Sequence, residues 1–123
     1  MRGASPRGRR LLLAAAAIAL VLALALPASA ATVVKLTSVN RYKPGSVQIA
    51  KGGTIKWKNV SNKKHNIVAY SSNWNYKHTL LAGQAVTRRF ASKGTFKYRC
   101  TVQNHSNLSG GNCSGMCGVI KVG

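Results

Sequence analysis

Aspartate and glutamate are absent from this chain of 123 residues, which carries 19 lysines and arginines and three histidines. Acidic residues ordinarily supply about half of a charged fraction near 25%. Their complete absence is no sampling accident, and it excludes whole classes of chemistry. Glycoside hydrolysis needs a pair of carboxylates. Calcium and magnesium sites and two-metal nucleases need hard oxygen ligands. Nucleophilic triads oriented by an aspartate cannot be assembled. Only a terminal carboxylate remains.

Long apolar runs are also scarce. The one present, Leu11 to Leu26, is shorter than the roughly 20 residues a spanning helix requires. Arg2, Arg7, Arg9 and Arg10 precede it, and Pro27-Ala28-Ser29-Ala30 follows with small residues at the cleavage positions. That order is a secretory signal peptide cleaved after Ala30; an uncleaved membrane anchor is the competing reading. No cysteine follows the run, which argues against a lipoprotein anchor. The expected organisation is therefore a leader over 1–30 and one domain over 31–123, exported to a periplasmic, cell-envelope or extracellular location, in a bacterial style. After cleavage no membrane-spanning segment is expected.

Helical periodicity, internal repeats and low-complexity tracts are missing from residues 31–123. Short alternating runs take their place. Val33 to Thr37, Val47 to Ile49, Thr54 to Asn59, His65 to Tyr70, Gln84 to Phe90, Thr95 to Cys100 and Val119 to Val122 read as strands. Arg41 to Ser46, with Pro44-Gly45, reads as a turn. Lys51-Gly52-Gly53 reads as a hairpin turn, and Ser71 to Gly83 as an irregular loop with Trp74 folding back onto the core. The expectation is an all-β Greek-key β-sandwich of about seven to eight strands. One residue breaks the pattern. Arg88 shares the parity of the inward-facing Val86 and Phe90, which calls for a twist or a bulge.

The chemistry gathers near the C-terminal end. Thr95-Phe96-Lys97-Tyr98-Arg99-Cys100 alternates cleanly and delivers Cys100 on the core-facing row. His105 follows five residues later, and Met116 lies in a glycine-rich loop before the last apolar run. Soft sulfur ligands hold Cu(I), and imidazole suits both copper states. A second imidazole must come from elsewhere. His65, at the mouth of a strand and followed by Asn66, is the better candidate; His78, in the irregular stretch, is the alternative.

Taken in order, these pieces resemble the cupredoxin family (plastocyanin, azurin and their bacterial relatives) across nearly all of 31–123. The resemblance rests on Gly52 or Gly53 with Ile55 and Trp57, then His65-Asn66, then Gly94-Thr95-Phe96-Lys97-Tyr98-Arg99-Cys100, then His105. It closes with Gly115-Met116-Cys117-Gly118-Val119-Ile120-Lys121-Val122. It implies an eight-stranded sandwich with one type 1 copper ion near one end. His65, His105 and Cys100 would be the ligands, with Met116 as the axial thioether. Asn66 would join the two ligand loops and tune the thiolate. The implied function is a blue copper protein that carries single electrons by Cu(II)/Cu(I) cycling, not an enzyme.

Ten residues separate His105 from Met116, more than in the familiar members. Three pairings of Cys100, Cys113 and Cys117 are open. Under the resemblance, Cys113–Cys117 is the expected disulfide, because it is local and leaves Cys100 free. A Cys₃His zinc site of Cys100, His105, Cys113 and Cys117 is a rival reading. Another is a basic extracellular protein that stores copper or binds polyanions without an electron-transfer role. The positive balance fits an acidic redox partner protein or an anionic cell-surface polymer. Nucleic acid is not expected as the physiological partner, and the chain is expected to be a monomer.

Overall fold

A computed structural model describes residues 30–123; the signal-peptide reading falls almost wholly outside the described residues. Eleven strands form among them. In chain order these are β1 Thr32–Leu36, β2 Tyr42–Lys43, β3 Ser46–Ile49, β4 Thr54–Asn59, β5 His65–Ala69, β6 Lys77–Leu80, β7 Ala85–Arg89, β8 Gly94–Arg99, β9 Ser106–Ser109, β10 Asn112–Gly115 and β11 Cys117–Val122. No helix of the described residues is long and apolar enough to cross a membrane.

Two sheets face each other. One has the order β2-β1-β4-β7 and the other β3-β11-β8-β5-β6, while β9 and β10 form a separate ribbon. Each main sheet contains one parallel pair, β1 with β4 and β3 with β11. Parallel neighbours cannot be joined by a tight turn, so the chain passes repeatedly from sheet to sheet. This is the Greek-key sandwich expected from the alternating runs. The higher strand count comes from short elements that periodicity does not reveal. β2 is two residues long and pairs with the end of β1, inside the segment read as a turn. β6 lies inside the stretch read as a loop and pairs with β5.

The alternation translates directly into burial. Ile55 and Trp57 of β4 face the core, as do Phe96 and Tyr98 of β8, while Lys58, Thr95 and Lys97 face solvent. Val34, Leu36, Ile67, Leu80 and Ile120 complete the centre, each at 0–1% exposure. Trp57 and Tyr98 meet edge to face at 5.4 Å, an arrangement that suits the ring quadrupoles. Trp74 does return to the core and stacks on Tyr76 at 5.7 Å.

Two local expectations need correction. The Lys51-Gly52-Gly53 turn is not a hairpin, because β3 and β4 lie in different sheets. Gly52, at φ +89°, redirects the chain across the sandwich. Its N–H donates to the Phe90 carbonyl at 2.6 Å, and the Phe90 N–H donates to Gly53 at 2.8 Å. The second correction concerns β7, where the ladder with β4 runs without a bulge from Thr54↔Arg89 to Lys58↔Ala85. Arg88 therefore lies on the core-facing row, half-buried, with its guanidinium 5.0–5.6 Å from the ring centres of Trp74, Tyr76 and Phe90. A cation over aromatic faces replaces the apolar residue the pattern calls for.

Candidate metal centre

Three strand ends and one loop converge at the end of the sandwich where β4 and β8 finish and β5 and β11 begin. Cys100 is the residue after β8 and is fully buried. His65 opens β5 and is also at 0% exposure. His105 follows a turn in which its N–H donates to the Val102 carbonyl at 3.0 Å. Asn104 takes a left-handed φ of +66° within that turn. Met116, fully buried, bridges β10 and β11.

Backbone hydrogen bonds tie these segments together. The Cys100 N–H donates to the Met116 carbonyl at 3.0 Å, and the Met116 N–H donates to the His105 carbonyl at 2.8 Å. Gly115 permits the second contact. It has φ +90°, and a Cβ there would press on the His105 carbonyl and the Ser106 Cα. Only glycine combines that backbone angle with that close approach.

The donor atoms face one another. The Nδ1 atoms of His65 and His105 are 3.2 Å apart, and Cys100 Sγ lies 3.9 Å from the first and 3.4 Å from the second. All three ligand atoms fall within 4.8 Å of one another. His65 Nε2 is 3.1 Å from the Thr37 carbonyl. A carbonyl only accepts, so Nε2 carries the proton and the neutral ring turns an Nδ1 lone pair into the cluster. A backbone carbonyl thus fixes the tautomer in a chain that has no carboxylate to do so.

Asn66 locks the two ligand segments. Its backbone N–H points at Cys100 Sγ at 3.5 Å. Its side-chain amide donates to Thr101 Oγ1 at 2.9 Å and accepts from the Thr101 N–H at 2.7 Å. Tyr42 Oη donates to the Asn66 carbonyl at 2.5 Å from beneath. Burial lowers the pKa of His65, helped by His105 and Lys63 and opposed by the Thr37 carbonyl. Burial and Lys63 lower that of His105. Both shifts favour the neutral imidazole, the form a metal ligand requires. Burial pushes the Cys100 thiol up, against the Asn66 and Val102 amides and the Arg99 charge, which pull it down.

His105 is half-buried and borders an open hollow of about 440 Å³ that Asn104, Asn107 and Ser114 also line. The site thus has an imidazole near the surface. His78 does not join the cluster; it sits in β6 opposite Ile67 and is exposed. Cys113 and Cys117 are bonded to each other, and Cys100 is free. The Cys₃His zinc arrangement is therefore not formed.

Several positioning residues carry no signal in the pattern. Asn59 is fully buried, donates to the Lys63 and Leu80 carbonyls, and accepts from the Ser61 N–H and hydroxyl. That knot shapes the loop leading into His65. Ser106 donates to the Cys100 carbonyl and accepts from Arg99 at 3.1 Å.

The donor set matches type 1 copper. It has one free cysteine sulfur and two imidazoles, with a buried thioether-bearing residue on the adjoining loop. Comparison with known proteins agrees. The family described as copper binding proteins, plastocyanin/azurin family, matches residues 29–123. No curated protein sequence matched. Among solved structures, a novel purple cupredoxin from Nitrosopumilus maritimus is similar at 21% identity and TM-score 0.59, covering 75% of this chain and 99% of that one. An oxidised amicyanin variant is similar at 22% identity and TM-score 0.63, covering 79% and 86%. A Cu(I) amicyanin variant shares 23% identity with the same TM-score and coverage. At such identities the likeness speaks for the fold, and the family match covers the segment that holds the donor cluster. The chain belongs to the plastocyanin/azurin family of copper-binding proteins, and its donor cluster fits a single type 1 copper ion.

Proposed function

We propose that this is an exported blue copper protein that carries single electrons between partners, and that it is a carrier rather than an enzyme. His65, Cys100 and His105 serve as the copper ligands and Met116 as the axial thioether. The observation that carries this reading is the convergence of two imidazole nitrogens and one buried sulfur within 4.8 Å. Bound copper supplies a one-electron Cu(II)/Cu(I) couple.

The chain's own residues make that couple fast and selective. The Thr37 carbonyl, the Asn66 clamp and the Cys100–Met116–His105 backbone bonds fix the donors before any electron arrives, so little rearrangement accompanies the change of charge. The Asn66 N–H draws density from Cys100 Sγ and raises the reduction potential. His105, beside the open hollow, is the electron port. The reading includes cleavage of a leader after Ala30, a single domain from Ala31 and a monomeric state. It also includes an acidic redox partner attracted by the positive charge.

Voltammetry of the copper-loaded protein tests the carrier role. The expected result is a reversible one-electron wave and rapid exchange between oxidised and reduced protein. Tight copper binding with no reversible wave, and ready release of Cu(I) to a chelator, would favour storage instead.

A further inference from the structure

At the opposite end of the sandwich, the close of β7 and the start of β8 enclose a hollow of about 450 Å³. Its walls combine Arg88, Arg89 and Lys93 with the rings of Trp74, Phe90 and Phe96. The register places it far from the copper ligands. Arg89 pairs with Thr54 at the first residue of β4, whereas Asn59 at the other end shapes the His65 loop. Gly123 leaves the sheet at this end too, since Val122 pairs with Gly94, but it does not line the hollow.

Arg88 is the unusual feature. It occupies a core-facing position, and its Nε is buried without a hydrogen-bond partner among the described residues. The sequence holds no aspartate or glutamate that could neutralise it. The three rings around its guanidinium hold it in place and supply no hydrogen-bond acceptor on the scale of a carboxylate. A planar guanidinium fork is the side chain best matched to carboxylate or phosphate. Arg89 and Lys93 are exposed at the rim and add charge of the same sign. Trp74 is held by its ring N–H, which donates to the Lys97 carbonyl at 3.1 Å, and by the parallel stack on Tyr76. A fixed aromatic wall beside a cationic fork matches a sugar ring that bears an anionic group. The volume lies in the range of small-ligand clefts, about 300–1,000 Å³.

We infer that this hollow is a second binding site, for an acidic saccharide unit whose carboxylate or phosphate meets Arg88 while its ring lies against the aromatic wall. Such a unit, repeated along a cell-surface polymer, would hold the protein by one end and leave the metal end facing its redox partner. The inference does not depend on the redox role.

Tryptophan fluorescence of the purified protein at fixed ionic strength tests it. The probes are a galacturonate trimer, glucose 6-phosphate, a neutral galactose trimer and inorganic phosphate. Saturable binding of one or both acidic sugars is expected, and which of them binds identifies the anionic group. The neutral trimer and inorganic phosphate should bind much more weakly. Arg88→Gln should weaken the acidic sugar about tenfold or more, as loss of a charge-assisted hydrogen bond does. Lys35→Gln, at an exposed position of β1, should leave binding unchanged. Circular dichroism checks that Arg88→Gln is folded; if it is not, Lys93→Gln at the rim takes its place and should show a measurable loss of affinity. The proposal is overturned by the absence of saturation, by equal weakening in Lys35→Gln, or by inorganic phosphate binding as tightly as the sugars.

Discussion

Gly118 shows how a single residue can set the geometry of the metal end. It pairs with Tyr98 across β11 and β8, and a Cβ there would collide with the Tyr98 ring. Tyr98 is fully buried against Trp57 and Tyr42 and has nowhere to move. Gly118→Ala should therefore destabilise the fold by about 1–3 kcal/mol, the usual cost of overpacking, measured by urea unfolding. The tyrosines make a second prediction. Burial raises the pKa of all four, Tyr42 and Tyr98 most, with Cys100 and Tyr98 adding to the rise at Tyr42. Below about pH 10 both folded and unfolded chains keep these protons. Above it the unfolded chain releases them and the folded chain does not, so stability falls as pH rises. Tyrosinate absorbance should appear together with the loss of near-ultraviolet dichroism, and ionisation of Tyr42 and Tyr98 in a folded protein would contradict the packing described. At this scale the residues that converge, His65, Cys100 and His105, were legible, because cysteine and histidine are few and these lie at or beside strand ends. Asn59 and Thr37 were not. The Asn59 amide reaches the Lys63 and Leu80 carbonyls, and the Thr37 carbonyl reaches the His65 ring, only once the fold brings them together.

Among the elements, the β9–β10 ribbon bears most directly on the metal end. It fills the ten residues between His105 and Met116, with Cys113 opposite Leu108. The Cys113–Cys117 disulfide staples its outgoing strand to the start of β11. The enclosed loop is short, so the chain-entropy argument gives a stabilisation of only about 2 kcal/mol. Replacing both cysteines by serine should lower stability by about that amount and speed amide exchange in the ribbon, yet leave copper binding intact. The backbone bonds among Cys100, His105 and Met116 hold the ligands. Loss of the metal site in the double variant would show that the disulfide does so instead. Strands with strict alternation, β4 and β8 above all, could be read from sequence. β2, β6 and the ribbon could not, since β2 is only two residues long and β6, β9 and β10 are mostly exposed, so no apolar alternation marks them. The sheet crossing at Gly52-Gly53 was hidden because a glycine pair marks a turn without saying which strand it leads to.

The whole molecule is a polycation without internal acidic partners, with a net charge of +19 for the full sequence. Such a charge opposes compaction, and added salt screens it within about 10 Å at 0.1 M. Thermal stability should rise with sodium chloride and level off, and a melting temperature unchanged across the series would contradict this. The absence of carboxylates also accounts for the construction of the metal end. Carbonyls, amides and two buried asparagines, Asn59 and Asn66, hold the donor cluster there. The central claim is that two neutral imidazoles and the Cys100 thiolate bind one copper ion. Visible absorption and electron paramagnetic resonance spectra recorded on adding Cu(II), for the protein and for Cys100→Ser, test it most directly. An intense thiolate-to-copper band with narrow hyperfine splitting at one copper per chain, abolished by the substitution, is the predicted result. A colourless protein, or a band that survives Cys100→Ser, would contradict it.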